Sequence, residues 1–309
     1  MLSGMELSQA YYEKYGKPVL EKTFASYLNE ITVGLVGEGS ECFGFDDEWS
    51  KDHDYGPSFC IWLSGDAHQK IGDQLKVIYE SFPKEYKGVS FQLRCNQASD
   101  RRGVLETKTF YQKFLGKNFY PQHAREWLGL PESYLAVATN GKIFVGENTE
   151  FMKIRRHLLE FYPEDVRKKK IAANLIKMAH CGQINYDRMS KRKDAVAARL
   201  ALDQFVQATI RTVYLLNKKY CPYYKWMWRG LSELPEDYRM GELLKSVSEG
   251  SAITSENHYL IEAICRKIRE ALYEQDMSDD DSSYLGNQAI AVTERIKDRE
   301  IKELPMMMG

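Results

Sequence analysis

The sequence predicts an α+β chain in two parts: a small mixed β-sheet domain with flanking helices, followed by an all-helical bundle. Three observations carry that expectation. Short apolar or alternating runs at residues 31–36, 59–63 and 89–93 have the length of strands and are bounded by turn-forming or charged residues. The runs 135–138 and 142–145 enclose Asn140-Gly141, the dipeptide favoured in type I′ turns, and read as a hairpin. From Glu150 onward the apolar spacing is helical almost throughout. The length of 309 residues suits two cores, and the boundary is placed near residues 146–149, giving domains 1–148 and 149–309.

Taken in order, residues 7–14 carry helical spacing that stops before Gly16, and Pro18, tolerated in a first turn, opens a second helix reaching residue 29. Pro57 ahead of the strand at 59–63 marks an edge or a bulge. Residues 67–82 form a helix with Ile71, Leu75 and Ile78 on one face, and 109–116 a shorter one. Arg101-Arg102 ahead of it read as a solvated loop or as a reach toward phosphate. In the helical half, 151–161 and 163–181 are successive helices. Pro163 opens the second, Glu164 and Asp165 complement its dipole, and Gly182 is its stop. Residues 188–220 form the longest helix, and Ala195, Ala197, Ala198 and Ala201 suit close packing there. Segments 255–273 and 285–296 complete the bundle. The acidic run 275–283 reads as a solvated linker and 303–309 as a disordered tail.

The stretch that carries chemistry is 37–56, between the first two strands. Its glycines allow a sharp turn and a close approach of backbone N–H groups to a ligand, and a helix starting at Ser40 would turn its first N–H groups toward an anion. Phe43 and Phe45 anchor the loop to the core. Asp52 and Asp54 are two apart, so on an extended segment both carboxylates leave one face. Paired carboxylates beside a phosphate cradle are what a divalent cation with a nucleoside triphosphate requires. The same residues also fit a Gly-rich turn with an acidic solvated loop that binds nothing.

Gly39-Ser40 followed by Asp52-x-Asp54 resembles the signature of nucleotidyltransferases of the DNA polymerase beta type. That superfamily includes aminoglycoside adenylyltransferases and the minimal nucleotidyltransferase antitoxins. Residues 37–54, Phe161-Tyr162-Pro163-Glu164-Asp165-Val166 and Tyr220-Cys221-Pro222-Tyr223-Tyr224-Lys225-Trp226 look more closely like an uncharacterised bacterial family of nucleotidyltransferase-like proteins with a helical C-terminal half. The resemblance covers residues 30–235.

It implies that Gly39 and Ser40 hold the triphosphate of a nucleotide, ATP first among them, and that Asp52 and Asp54 bind magnesium or manganese. An acceptor hydroxyl on a small molecule or a protein would attack the α-phosphorus. Active members carry a third carboxylate on a neighbouring strand. Residues 89–93 offer none, and Glu106 is the candidate. The helical half of such enzymes closes over the cleft, which makes Arg155, Arg199 and Lys225 candidates for nucleotide contacts. Each also has a plain structural reading, for Arg199 a pair with Asp203 and for Lys225 a helix-end cap. Without a third carboxylate, the resemblance implies a nucleotide-binding or regulatory protein, antitoxin-like, that keeps the fold with weak or no turnover.

Composition narrows the partners. Lys and Arg number 43 against 44 Asp and Glu, a net charge of −1 with no basic tract, so nucleic acid is not an expected partner. The six cysteines form no C-x-x-C pair, which disfavours structural zinc. No apolar run reaches bilayer length and no signal peptide is read at the start, so a cytoplasmic protein with reduced thiols and no membrane partner is expected.

Overall fold

The computed structural model describes residues 2–52, 55–91 and 101–309. They divide into two compact units: Met1–Tyr120 with Ser133–Glu160, and Pro121–Glu132 with Phe161–Gly309. The expected boundary near 146–149 thus falls at Glu160, and a short earlier segment belongs to the second unit.

The first unit opens with α1 (Gly4–Tyr11), which starts in a capping box: Glu6 donates its N–H to the Ser3 hydroxyl while its carboxylate accepts the Ser3 N–H. A π-helical turn at Tyr12–Gly16 joins it to α2 (Lys17–Thr23), so the helix runs through Gly16. A Cβ there would lie 2.6 Å from the Phe59 ring, so the glycine serves packing rather than termination. Next come β1 (Ile31–Leu35), α3 (Ser40–Phe43), β2 (Cys60–Leu63), α4 (Gly65–Glu80), β3 (Glu85–Tyr86), β4 (Val89–Ser90), β5 (Gly103–Glu106) and α5 (Thr107–Leu115). After α6 (Ala124–Gly129), which lies in the second unit, α7 (Glu132–Thr139), β6 (Lys142–Val145) and α8 (Glu150–Leu159) complete the sequence of elements up to the boundary.

The sheet has the order β5-β2-β1-β6 and is mixed: β1 is antiparallel to β2 and β6, and β2 is parallel to β5. Every residue of β1 and β2 is buried, as befits strands covered on both faces. Ile61 and Leu63 join Tyr11, Leu20, Phe24 and Leu75 in one core. Trp62 points the other way, stacked on Phe151 at 4.2 Å and edge-on to Phe110 at 5.4 Å. Period-two alternation of β2 therefore fills two cores at once.

Two strand expectations are corrected here. Residues 132–139 form a helix, not the first arm of a hairpin. Leu135, Ala136, Val137 and Ala138 are all buried, and a run buried all round carries no periodicity that separates strand from helix. The Asn140-Gly141 turn therefore joins a helix to β6, which pairs with β1. The run 89–93 contributes only Val89–Ser90, paired with Glu85–Tyr86 in a separate two-stranded ribbon; Gln92 and Leu93 lie outside the described residues.

The second unit is helical: α9 (Glu164–Met178), α10 (Asp187–Lys191), α11 (Ala195–Leu216), α12 (Tyr224–Leu231), α13 (Met240–Glu249), α14 (Ser255–Glu274), α15 (Leu285–Glu294) and α16 (Arg299–Glu303), with α6. A π-helical stretch, Ala179–Tyr186, carries α9 into α10, so Gly182 does not end the helix. A Cβ on Gly182 would meet the Phe205 ring at 2.5 Å, so the glycine leaves room for α11 to pack against this stretch. The segment 275–283 is an ordered loop rather than a solvated linker: Met277 and Ser278 are buried, and Gln288 donates to the Asp280 and Ser282 carbonyls. The C-terminal tail packs as well, with Lys169 donating to the Leu304 carbonyl and Gly309 seated against Ala173. Among the described residues no helix is long and apolar enough to cross a membrane, and Cys42, Cys60, Cys181, Cys221 and Cys265 are free.

Candidate functional site

The glycine-rich loop follows β1 in the first unit. Gly37 and Gly39 stand at φ +117° and +119°, outside the range that L side chains readily adopt. A Cβ on Gly39 would also lie 2.6 Å from both carboxylate oxygens of Glu41. Two distant residues hold the backbone in place. The Asn140 side chain accepts the Gly37 N–H and donates to the Gly37 carbonyl, both at 2.9 Å, so it holds the peptide groups on either side of the Gly37 Cα. Arg102, buried, donates to the Glu38 carbonyl at 2.8 Å and pairs with the buried Glu41 carboxylate at 2.6 Å. Removing one partner of such a buried pair strands the other charge, at a cost of about 3–5 kcal/mol. α3 is a single turn, ended by Gly44 in the left-handed region. Ser40 is buried at its start, and Phe45 joins the core and stacks on Phe43 at 5.8 Å.

Charge gathers at the rim of this loop. The Glu38 carboxylate accepts from Lys113 Nζ at 2.7 Å and faces Arg101 Nε at 3.2 Å, with all three side chains about one-third exposed. Arg101-Arg102 are therefore not a solvated loop: one arginine is buried structure and the other is a rim cation. Sequence reasoning missed Lys113, Asn140 and Glu41, because each reaches the loop only through the tertiary fold.

The expected carboxylates Asp52 and Glu106 fall on different elements. Asp52 closes a 3-10 turn, Trp49–Asp52, rather than lying on an extended segment, because Asp47 accepts the Trp49 and Ser50 N–H groups and curls the chain. Asp54 lies outside the described residues. Glu106 is placed against its expected role. Cys60 pairs with Gly103 and Leu63 with Glu106, while Gly34 at the loop end of β1 pairs with Cys60. Glu106 therefore sits at the far end of β5, three strand residues or about 10 Å from the loop end of the sheet. There it accepts the Thr109 hydroxyl and precedes α5.

Among the described residues no group of three His, Cys, Asp or Glu is placed to hold a metal ion. Glu38 and Glu41 are paired with cations and Asp46 accepts the Gly4 N–H.

The three cationic candidates have structural employment. Arg155 is buried and donates to the carbonyls of Asn140 at 2.8 Å and Gly141 at 3.4 Å. It braces the turn that grips Gly37 instead of clamping phosphate, and burial lowers its proton affinity. Arg199 donates to the carbonyls of Val247, Ser248 and Gly250, so it caps the C-terminal end of α13 and does not pair with Asp203. Lys225 is exposed in the first turn of α12, its ammonium 5.0 Å from the centre of the Trp226 ring.

A second polar cluster lies buried in the second unit. One carboxylate oxygen of Glu132 and the Tyr162 hydroxyl are buried with no hydrogen-bond partner. Lys170 stands over the Tyr162 ring at 5.0 Å, and Tyr220 meets the same ring edge-on at 5.1 Å. Burial raises Glu132 to about 7, against the opposing pull of Lys170, Arg211 and the Cys221 N–H.

Residues 127–227, less than half of the chain, match a family model described as a domain of unknown function, DUF4037. That span contains the Glu132 cluster and ends before α13, and it leaves out the glycine-rich loop. No curated protein matches the chain. Among solved structures, a nucleotidyltransferase-like protein from Exiguobacterium sibiricum 255-15 is similar at 12% identity and a TM-score of 0.38, over 93% of this chain and 81% of that one. A likeness at that level carries no inference about activity.

Proposed function

We propose that the chain binds a nucleoside triphosphate at the loop 37–44 and transfers its nucleoside monophosphate to a hydroxyl of a small-molecule or protein acceptor. One observation supports this above the others: the loop backbone is pinned in an open, positive-φ form by Asn140 and Arg102 while Arg101 and Lys113 stand at its rim. A rigid loop with exposed cations suits a polyphosphate, since little ordering remains to be done on binding. Gly39 and Ser40 would approach the triphosphate, and Asp52 and Asp54 would hold magnesium, which when bound neutralises phosphate charge. In the transfer, the acceptor oxygen bonds to the α-phosphorus as the bond to pyrophosphate breaks, and the hydroxyl proton leaves to solvent or a base. The protein's part is to position the triphosphate and balance its charge.

The placement of Glu106 favours a second reading. With that carboxylate at the other end of the strand, the expected general base for the acceptor does not stand at the loop. A nucleotide-binding protein with little or no turnover fits the same loop.

Titration of ATP, GTP, CTP and UTP in magnesium by calorimetry tests what both readings share. Binding is expected for wild type and for Glu106→Gln, and is expected to be lost in the Asp52→Asn, Asp54→Asn double variant. Failure of every triphosphate to bind wild type contradicts both readings. Binding without pyrophosphate release across an acceptor screen favours the second.

A further inference from the structure

The rim of the loop contains three charged side chains from three separate elements. Glu38 lies within the loop, Arg101 just ahead of β5, and Lys113 in the last turn of α5. Their geometry is that of two cations sharing one carboxylate, 2.7 and 3.2 Å away. Each side chain is about one-third exposed. Exposed ion pairs of this kind contribute little stability, about 0–1 kcal/mol, so a staple alone is a weak reason for the arrangement.

We propose that Arg101 and Lys113 form a phosphate subsite of the loop, and that the Glu38 carboxylate occupies it as an internal stand-in until a polyphosphate displaces it. This rests on the nucleotide reading and adds regulation to the same site. The backbone around Glu38 is fixed on both sides: Asn140 holds Gly37, and Arg102 Nη2 and the Cys42 thiol donate to the Glu38 carbonyl at 2.8 and 3.4 Å. The side chain can therefore swing away while the loop keeps its shape. Lys113 also lies 5.4 Å from the Phe114 ring, which supports its stem beside the loop. A carboxylate and a phosphate oxygen ask for the same donors, and a phosphate brings more charge to them. The free protein thus keeps its rim cations paired, and weak anions gain little by competing with a tethered carboxylate.

The test is calorimetric titration of inorganic tripolyphosphate and of magnesium ATP into the full chain, as wild type, Glu38→Gln and Lys113→Ala. Melting temperatures of all three serve as the control for folding. Removing the tethered competitor should tighten tripolyphosphate binding in Glu38→Gln by up to about fivefold, the scale of one exposed ion pair. Lys113→Ala should weaken it by about as much and should flatten its dependence on salt. Unchanged or weaker binding in a folded Glu38→Gln, with wild type still binding, overturns the stand-in role and leaves Glu38 as a loop staple. Absence of binding by wild type and Glu38→Gln alike overturns the nucleotide reading together with this one.

Discussion

Glu132 has one carboxylate oxygen buried beyond the reach of any partner, and burial raises its proton affinity to about 7 from an unperturbed 4.5. The sign of its effect on stability follows. Below pH 4.5 the group is protonated in both the folded and the unfolded chain, and its contribution is present in full. As pH rises toward 7 the unfolded chain releases the proton first, and the folded state loses stability by an amount on the order of 2–3 kcal/mol. Glu132→Gln should remove that loss, so denaturant midpoints of wild type and variant should diverge between pH 4.5 and 8; parallel profiles would refute it. No local pattern in the sequence marks Glu132, because its neighbours Tyr162, Lys170, Arg211 and Cys221 come from distant segments. Gly39 and Ser40 are legible because the demand on them is local: a turn with positive φ after a strand. The Asn140 grip on Gly37 spans 103 residues and the Arg102–Glu41 pair 61, and no spacing rule reports contacts of that range.

At the scale of elements, helix type and extent were legible wherever one face is apolar, as in α4, α8, α14 and α15. Legibility failed where burial is complete or where a glycine has two possible uses. The run 135–139 is buried all round, so its helix resembles a strand in sequence. Gly182 has the position of a helix stop, yet it lies inside a continuous helix because Phe205 needs the room. Gly182→Ala weighs two effects. Alanine gains up to about 1 kcal/mol in helix propensity, and the new methyl at 2.5 Å from a fully buried ring costs about 1–3 kcal/mol. The collision should prevail, lowering the melting temperature; a more stable variant would show that Phe205 yields. Glu106 illustrates a third limit. The sequence offers Glu106 as a candidate acid, but which end of the sheet it reaches is fixed by the parallel register of β5 with β2, which only the fold supplies.

At the scale of the molecule, the α+β class, with a small mixed sheet first and helices after, was legible because periodicity changes from strand-like to helical along the chain. The interleaving of the units was not: Pro121–Glu132 belongs with the helical unit and Ser133–Glu160 with the sheet, and neither composition nor charge shifts at those points. The glycine-rich loop lies wholly in the first unit, outside the span that matches DUF4037, so nucleotide binding at the loop is a claim about the sheet-bearing unit itself. Hydrogen exchange of the amides of residues 37–44, measured with and without magnesium ATP, tests that claim most directly. Nucleotide should slow exchange there in wild type and leave it unchanged in the Asp52→Asn, Asp54→Asn variant. Protection confined to the second unit, or none at saturating nucleotide, would contradict it.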